Sequence, residues 1–195
     1  MKTLIVATSN PGKVQELQAY LTGLPVALRL KPPELEIAET GQTFAENARL
    51  KASQVAIALQ AWAIADDSGL AVTALDGAPG LYSARYGTSD RERIGRLLRE
   101  LGESDQRQAQ FICAIAIARP DGSIACESEG VCPGEILREP SGSGGFGYDP
   151  IFYVPEAGLS FAAMTAAQKH ALSHRGRAFE ALRPHLATLL AADSP

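Results

Sequence analysis

Cysteine is scarce, neither sign of charge dominates, and no apolar run is long. The 195 residues include 3 cysteines, Cys113, Cys126 and Cys132, an odd number with no C-x-x-C pair. That excludes a zinc ribbon and a disulfide framework, and reads as free, partly buried thiols in a reducing compartment. Lys and Arg number 18 against 22 Asp and Glu, a net charge of -4. A mildly acidic chain lacks the basic face that nucleic acid requires, although a small polyanion can still be held by a few local cations and a metal. The apolar segment from Phe44 to Trp62 is interrupted by Glu46, Asn47, Arg49 and Lys51, so no stretch is suited to span a bilayer. The N-terminal MKTLIVATSN is too short in its apolar part for a signal peptide. These features set the expectation of a soluble, cytoplasmic protein. Repeats and long linkers are also missing. With 46% hydrophobic and 21% charged residues, residues 1–195 read as one domain able to bury a core, with room for two lobes.

What is present alternates between strand and helix. Leu4 to Thr8 is an apolar run that predicts a buried strand, ending in the turn residues Ser9-Asn10-Pro11-Gly12. A helix follows from about Lys13, with Val14, Leu17 and Leu21 on one face. Val26 to Leu30 predicts a second strand. Thr43-Phe44-Ala45-Glu46 and Ser89-Asp90-Arg91-Glu92 both fit capping boxes that open helices. Ala61 to Ala65 predicts a strand ending at Asp66-Asp67-Ser68-Gly69. Phe111 to Ala118 and Ile124 to Val131, joined by Pro120-Asp121-Gly122-Ser123, predict a hairpin. A Gly/Ser-rich loop over 141–147 leads to a strand at Ile151 to Val154. The segment from about Phe161 is helical, with Pro184 predicting a break or kink. The pattern is that of a mixed sheet flanked by helices.

Four segments carry more polar chemistry than a scaffold needs. Thr8 to Lys13 joins a strand to a helix start, where unpaired N–H groups and the Lys13 charge favour an anion. It can equally be a turn with an exposed lysine paired to Glu16. It is not a Walker A loop. Glu39-Thr40-Gly41 precedes a helix on which Asn47 and Lys51 share a face. Taken alone, Lys51 reads as a solvated surface charge, and Glu46 as the capping partner of Thr43. Asp66-Asp67-Ser68-Gly69 places two adjacent carboxylates at a strand end, where ligand sites of α/β sheets collect. Their repulsion calls for a compensating cation such as Mg²⁺, although Asp, Ser and Gly also make ordinary turns. Gly142 to Pro150 satisfies G-x-G-x-x-G but precedes a strand, which excludes a dinucleotide fingerprint. Its Phe146 and Tyr148 could stack on a base. A further basic cluster, Lys169, Ser173, His174 and Arg175, is either a solvated helical face or a grip on phosphate or base.

Taken in order, these segments resemble the inosine/xanthosine triphosphate pyrophosphatases. The resemblance covers nearly the whole chain. It rests on Ser9-Asn10-Pro11-Gly12-Lys13, Glu39-Thr40-Gly41 with Glu46-Asn47-Ala48, Ala65-Asp66-Asp67-Ser68-Gly69-Leu70, Gly77-Ala78-Pro79-Gly80-Leu81-Tyr82-Ser83-Ala84-Arg85, Gly144-Gly145-Phe146-Gly147-Tyr148-Asp149-Pro150 and Ser173-His174-Arg175-Gly176. One departure is Ala166-Ala167-Gln168, where the family often has acidic residues. The resemblance implies an elongated mixed α/β fold of two lobes with a central cleft, a homodimer, and Mg²⁺ (with Mn²⁺ as the other oxygen-seeking candidate). It implies hydrolysis of ITP, dITP and XTP to the monophosphate and pyrophosphate. Residue by residue, it implies Asp67 as general base and metal ligand, Glu39 and Asp66 as further metal ligands, and Lys13 as a charge-neutralising catalytic group. Thr8, Ser9, Asn10, Pro11, Gly12 and Lys13 resemble a phosphate cradle and Ser68 a substrate contact. Phe146, Gly147, Tyr148, Asp149, Lys169, His174 and Arg175 resemble a nucleobase pocket. Two other readings stay open: a pyrimidine-preferring relative with the same phosphate end, and a nucleotide-binding regulator without catalysis.

Overall fold

A computed structural model of the chain describes residues 2–191, with no side-chain description for 190 and 191. Seven strands form one sheet: β1 (Lys2–Val6), β2 (Val26–Leu30), β3 (Ala63–Val72), β4 (Gln108–Ala118), β5 (Ile124–Ile136), β6 (Phe152–Val154) and β7 (Leu159–Ser160), in the spatial order β2-β1-β3-β4-β5-β6-β7. The β2-β1-β3 part is parallel, with Leu4 opposite Leu28 and Val6 opposite Ile64, whereas β5-β6-β7 is antiparallel. The helices are α1 (Pro11–Tyr20), α2 (Phe44–Leu59), α3 (Asp90–Leu101), α4 (Ala166–Leu172) and α5 (His174–Ala191). The expected mixed sheet flanked by helices is what the chain forms.

The chain divides into two compact units. One comprises 1–67, 113–130 and 175–195; the other comprises 68–112 and 131–174. In the first unit, strand alternation sorts two cores. Leu4, Val6, Ile64, Cys113, Ile115 and Ile117 join Leu17 and Tyr20 of α1 and Phe179, Leu182 and Leu186 of α5. The intervening residues Ile5, Ala7, Ala63, Ala65, Ala114, Ala116 and Ala118 join Ala48, Ala52, Val55 and Ala56 of α2. Successive strand residues point to opposite faces, so the α1/α5 face is branched and the α2 face is mostly alanine. The second unit has its own core, in which Phe111, Phe152 and Phe161 pack with Leu70, Leu97 and Ile151.

Several sequence expectations change. β3 does not end at Ala65 but runs through Asp66-Asp67-Ser68-Gly69 to Val72. Burial resumes at Leu70 and Val72, and their packing outweighs the turn preference of the four residues before them. α1 begins at Pro11, which suits a first-turn position. α5 continues through Pro184, since Phe179, Leu182 and Leu186 anchor it on both sides of the lost backbone bond. Thr43 caps α2 by accepting from Glu46 N at 3.1 Å, but Glu46 reaches back to Gln42 N rather than to Thr43. Lys169 lies in the last turn of α4, Ser173 caps its end, and His174 and Arg175 begin α5, so the basic cluster spans two helices.

Candidate active site

Asp66 and Asp67 are neighbours in sequence, and because β3 is a strand they face opposite ways. Asp66 lies on the side of Ile64, facing α1 and α5. Asp67 lies on the side of Ala63 and Ala65, facing α2. Each carboxylate meets its own lysine from its own helix.

On the first side, Asp66 is 5% exposed. Its Oδ1 is 3.2 Å from Lys13 Nζ of α1, and its Oδ2 accepts from Arg175 Nε at 2.9 Å and Nη2 at 2.8 Å. Arg175, 2% exposed, also pairs with Glu16. Burial alone would raise the Asp66 carboxyl, but Lys13, Arg175 and Lys51 hold it well below the usual carboxylate range. Cys113 Sγ lies 3.8 Å from Asp66 Oδ2, and burial together with that charge pushes its thiol up to about 12. Both oxygens of Asp66 are thus engaged by cations. Arg175, expected to read a base, has its guanidinium committed to Asp66 and Glu16.

On the second side, Lys51 Nζ lies 2.7 Å from Asp67 Oδ1 and 3.3 Å from Glu39 Oε1. Lys51 is 6% exposed, which corrects its reading as a solvated charge. Burial lowers its affinity for a proton, but Asp67, Asp66 and Glu39 more than offset that and raise it, so the ammonium stays charged. Asn47, also buried, accepts from Gly41 N at 2.8 Å and so holds the segment that carries Glu39. A side chain at residue 41 would sit 2.7 Å from Glu46 Cβ and 2.9 Å from Asn47 N, so this approach needs glycine. The signal for Lys51 was in the sequence: it sits on the Ala48, Ala52, Val55 and Ala56 stripe of α2, a lysine on an apolar face.

The Thr8–Lys13 segment caps itself. Asn10 Oδ1 accepts from Gly12 N at 2.9 Å and Lys13 N at 3.3 Å, and Thr8 Oγ1 accepts from Asn10 N at 3.2 Å. The expectation of unpaired first-turn N–H groups at Gly12 and Lys13 is therefore corrected. What remains for an anion is the Lys13 side chain and the positive end of α1, flanked by exposed Ser9 and Pro11. Ser68, half-buried, follows Asp67 in β3 and belongs to the second unit.

The other expected base residues lie in the second unit. Asp149 Oδ2 accepts from Phe146 N at 2.8 Å and from Lys169 Nζ at 2.6 Å. That ammonium lies 4.8 Å from the Phe146 ring centre. Gly147 takes a positive φ of 63. Tyr148 is buried and donates its hydroxyl to Ser83 O at 3.0 Å, and burial raises its phenol. Its ring is thus a loop anchor rather than an open stacking surface. His174 stacks on Phe111, with ring centres 4.6 Å apart and 12° between planes. Among the described residues no group of three or more His, Cys, Asp or Glu side chains is placed to hold a metal, and no helix is long and apolar enough to cross a membrane.

An open mixed α/β sheet in which one strand sets two charge-compensated carboxylates beside the buried Lys51 and the half-buried Lys13 belongs to the class of α/β proteins suited to a polyphosphate. More particularly, the chain belongs to the Ham1 family, whose sequence model matches residues 4–185. It is 63% identical over 193 residues to a dITP/XTP pyrophosphatase of Nostoc sp. (strain PCC 7120 / SAG 25.82 / UTEX 2576), covering 99% of this chain and 98% of that one. It is 63% identical over 182 residues to a dITP/XTP pyrophosphatase of Synechocystis sp. (strain ATCC 27184 / PCC 6803 / Kazusa), covering 93% and 94%. The structure of a HAM1 protein from Coxiella burnetii superposes with a TM-score of 0.87 at 40% identity, covering 96% of this chain and all of that one.

Proposed function

We propose that this chain hydrolyses non-standard purine nucleoside triphosphates of the dITP, ITP and XTP type to the monophosphate and pyrophosphate. The relatives' shared activity supports the reaction, and the observation that carries the site is Asp67 held by Lys51 beside Glu39. Lys51 engages Asp67 Oδ1 and aims the carboxylate, leaving Oδ2 to accept a proton from an attacking water. Lys13 and Lys51 supply positive charge where the phosphates gather negative charge. Asp66, fixed by Arg175, acts through Lys13 by holding its ammonium.

The residues fit a divalent ion of the Mg²⁺ type, with Mn²⁺ as the alternative. Glu39 and Asp67 are two carboxylates on one face, and Mg²⁺ is commonly held by one or two carboxylates plus substrate phosphates and waters. Asp66 would join as a further ligand only in exchange for its contact with Lys13. When bound, such an ion would stabilise charge on the phosphate oxygens. Base recognition is assigned to Phe146, Gly147, Asp149 and Lys169 of the second unit. There the Lys169 ammonium matches a 6-oxo group and leaves an amino group unpaired. A cytoplasmic homodimer is part of the same proposal, tested by sedimentation and cell fractionation.

The test is pyrophosphate release with Mg²⁺ from ITP, dITP, XTP, ATP, GTP and dTTP. Release from the first three above the rest supports the reading. Release mainly from dTTP moves the specificity to pyrimidines, and tight binding without release leaves a regulator.

A further inference from the structure

Two successive amides of the Gly-rich loop are each held by a different carboxylate. Phe146 N donates to Asp149 Oδ2 at 2.8 Å, and Gly147 N donates to Asp90 Oδ2 at 2.8 Å. Asp90 is the first residue of α3, far from the loop in sequence, and no family motif quoted above contains it. Its other oxygen, Oδ1, accepts from Arg93 Nη1 at 2.7 Å, and Arg93 Nε is tied to Gly87 O at 3.2 Å. Asp90 is therefore aimed from behind and grips the loop in front. Gly147 has a left-handed φ, which glycine adopts without the steric cost that a side chain would add. The two peptide planes that flank the Phe146 Cα are thus each fixed, the Gly145–Phe146 plane by Asp149 and the Phe146–Gly147 plane by Asp90. The Phe146 side chain hangs between them.

We propose that Asp90, oriented by Arg93, is a positioning residue for base recognition. It touches no substrate and sets the pitch of the Phe146 ring, and with it the gap between that ring and the Lys169 ammonium. This rests on the assignment of Phe146 and Lys169 to the base. Losing the bond frees the Gly147 amide and lets Phe146 turn, which weakens stacking and 6-oxo discrimination but leaves the Asp67 chemistry in place. A charge-assisted hydrogen bond of this exposure is worth about tenfold.

The experiment compares wild type with Asp90→Ala, Asp90→Asn and Arg93→Ala. Hydrogen exchange of the peptide spanning 144–149, read without substrate, should be about tenfold faster in Asp90→Ala. It should be near wild type in Asp90→Asn, whose amide oxygen still accepts from Gly147 N, and intermediate in Arg93→Ala, which loses only the aim. In steady state, Asp90→Ala should raise KM for ITP about tenfold and cut the ITP-to-ATP ratio of kcat/KM by a similar factor, with kcat kept within about threefold. Asn should restore most of both. Unchanged exchange in Asp90→Ala overturns the clamp. Equal losses on ITP and ATP, with an unchanged ratio, reduce Asp90 to a structural residue and overturn the positioning role alone. A wild type inactive on every triphosphate overturns the functional reading, and this role with it.

Discussion

Replacing Lys51 with methionine removes one charge while keeping most of the side-chain volume in the α2 core. The ammonium it removes sits 2.7 Å from Asp67 and 3.3 Å from Glu39. At an effective dielectric of about 20, a pair at the shorter distance attracts by about 6 kcal/mol. Most of that offsets the desolvation of the ions. The surplus acts mainly in the transition state, where loss of one preorganised charge typically costs about 3 kcal/mol, or about a hundredfold in kcat. The same ammonium competes with a divalent ion for the oxygens of Asp67 and Glu39. Lys51→Met should therefore bind Mn²⁺ about tenfold more tightly in the absence of nucleotide while turning over about a hundredfold more slowly. Without metal the two carboxylates lose their shared counter-charge, so the urea midpoint should fall and then recover as metal is added. Calorimetric Mn²⁺ titration, pyrophosphate release at saturating ITP and metal, and urea melts read the three effects. A variant with kcat within threefold of wild type and unchanged Mn²⁺ affinity would refute the bridging role.

Asp67→Asn should keep the fold and lose about a thousandfold or more in turnover; a melting temperature near wild type with near-normal pyrophosphate release would remove Asp67 as the base. Asp66→Asn leaves Arg175 buried with one fewer partner and should cost about 3 kcal/mol at neutral pH by urea unfolding. Because the folded Asp66 carboxyl is held below its ordinary 3.8, its contribution is fully present above that value and is lost as pH falls below it. The gap between wild type and Asp66→Asn should accordingly narrow as melts are run from about pH 5 towards about pH 3, and a constant gap would contradict the ion-pair account. Ala52→Leu pushes a larger side chain into the alanine face and should cost about 2 kcal/mol without changing KM; an unchanged urea midpoint would mean that α2 has room to spare.

Local signals in the sequence survived into the structure. Val26–Leu30 is the strand that its apolar run predicts, and Thr43 and Ser89 each cap a helix by accepting from the residue three positions on. Those features are written within one turn of the chain. The pairings that organise the site are not. Arg175 meets Asp66 across 109 positions and Gly147 meets Asp90 across 57, so nothing near either residue in sequence names its partner. Lys51 is an intermediate case. The apolar stripe of α2 marks it as inward-facing, but lysines so commonly face solvent that the stripe alone does not fix its orientation.

The most instructive divergence is Asp66-Asp67-Ser68-Gly69. These residue types favour a turn, and the strand expected from the sequence stops short of them. Because β3 instead runs through the segment, Ile64 and Asp66 share one face and Ala65 and Asp67 the other. The strand tolerates two successive aspartates because each face supplies its own cations, Lys13 and Arg175 on one side and Lys51 on the other. Asp67 shares the Lys51 ammonium with Glu39, whereas Asp66 engages Lys13 and Arg175 with its two oxygens. Exchanging the two faces by a one-residue slip of β3 would therefore abolish the site even with every side chain retained.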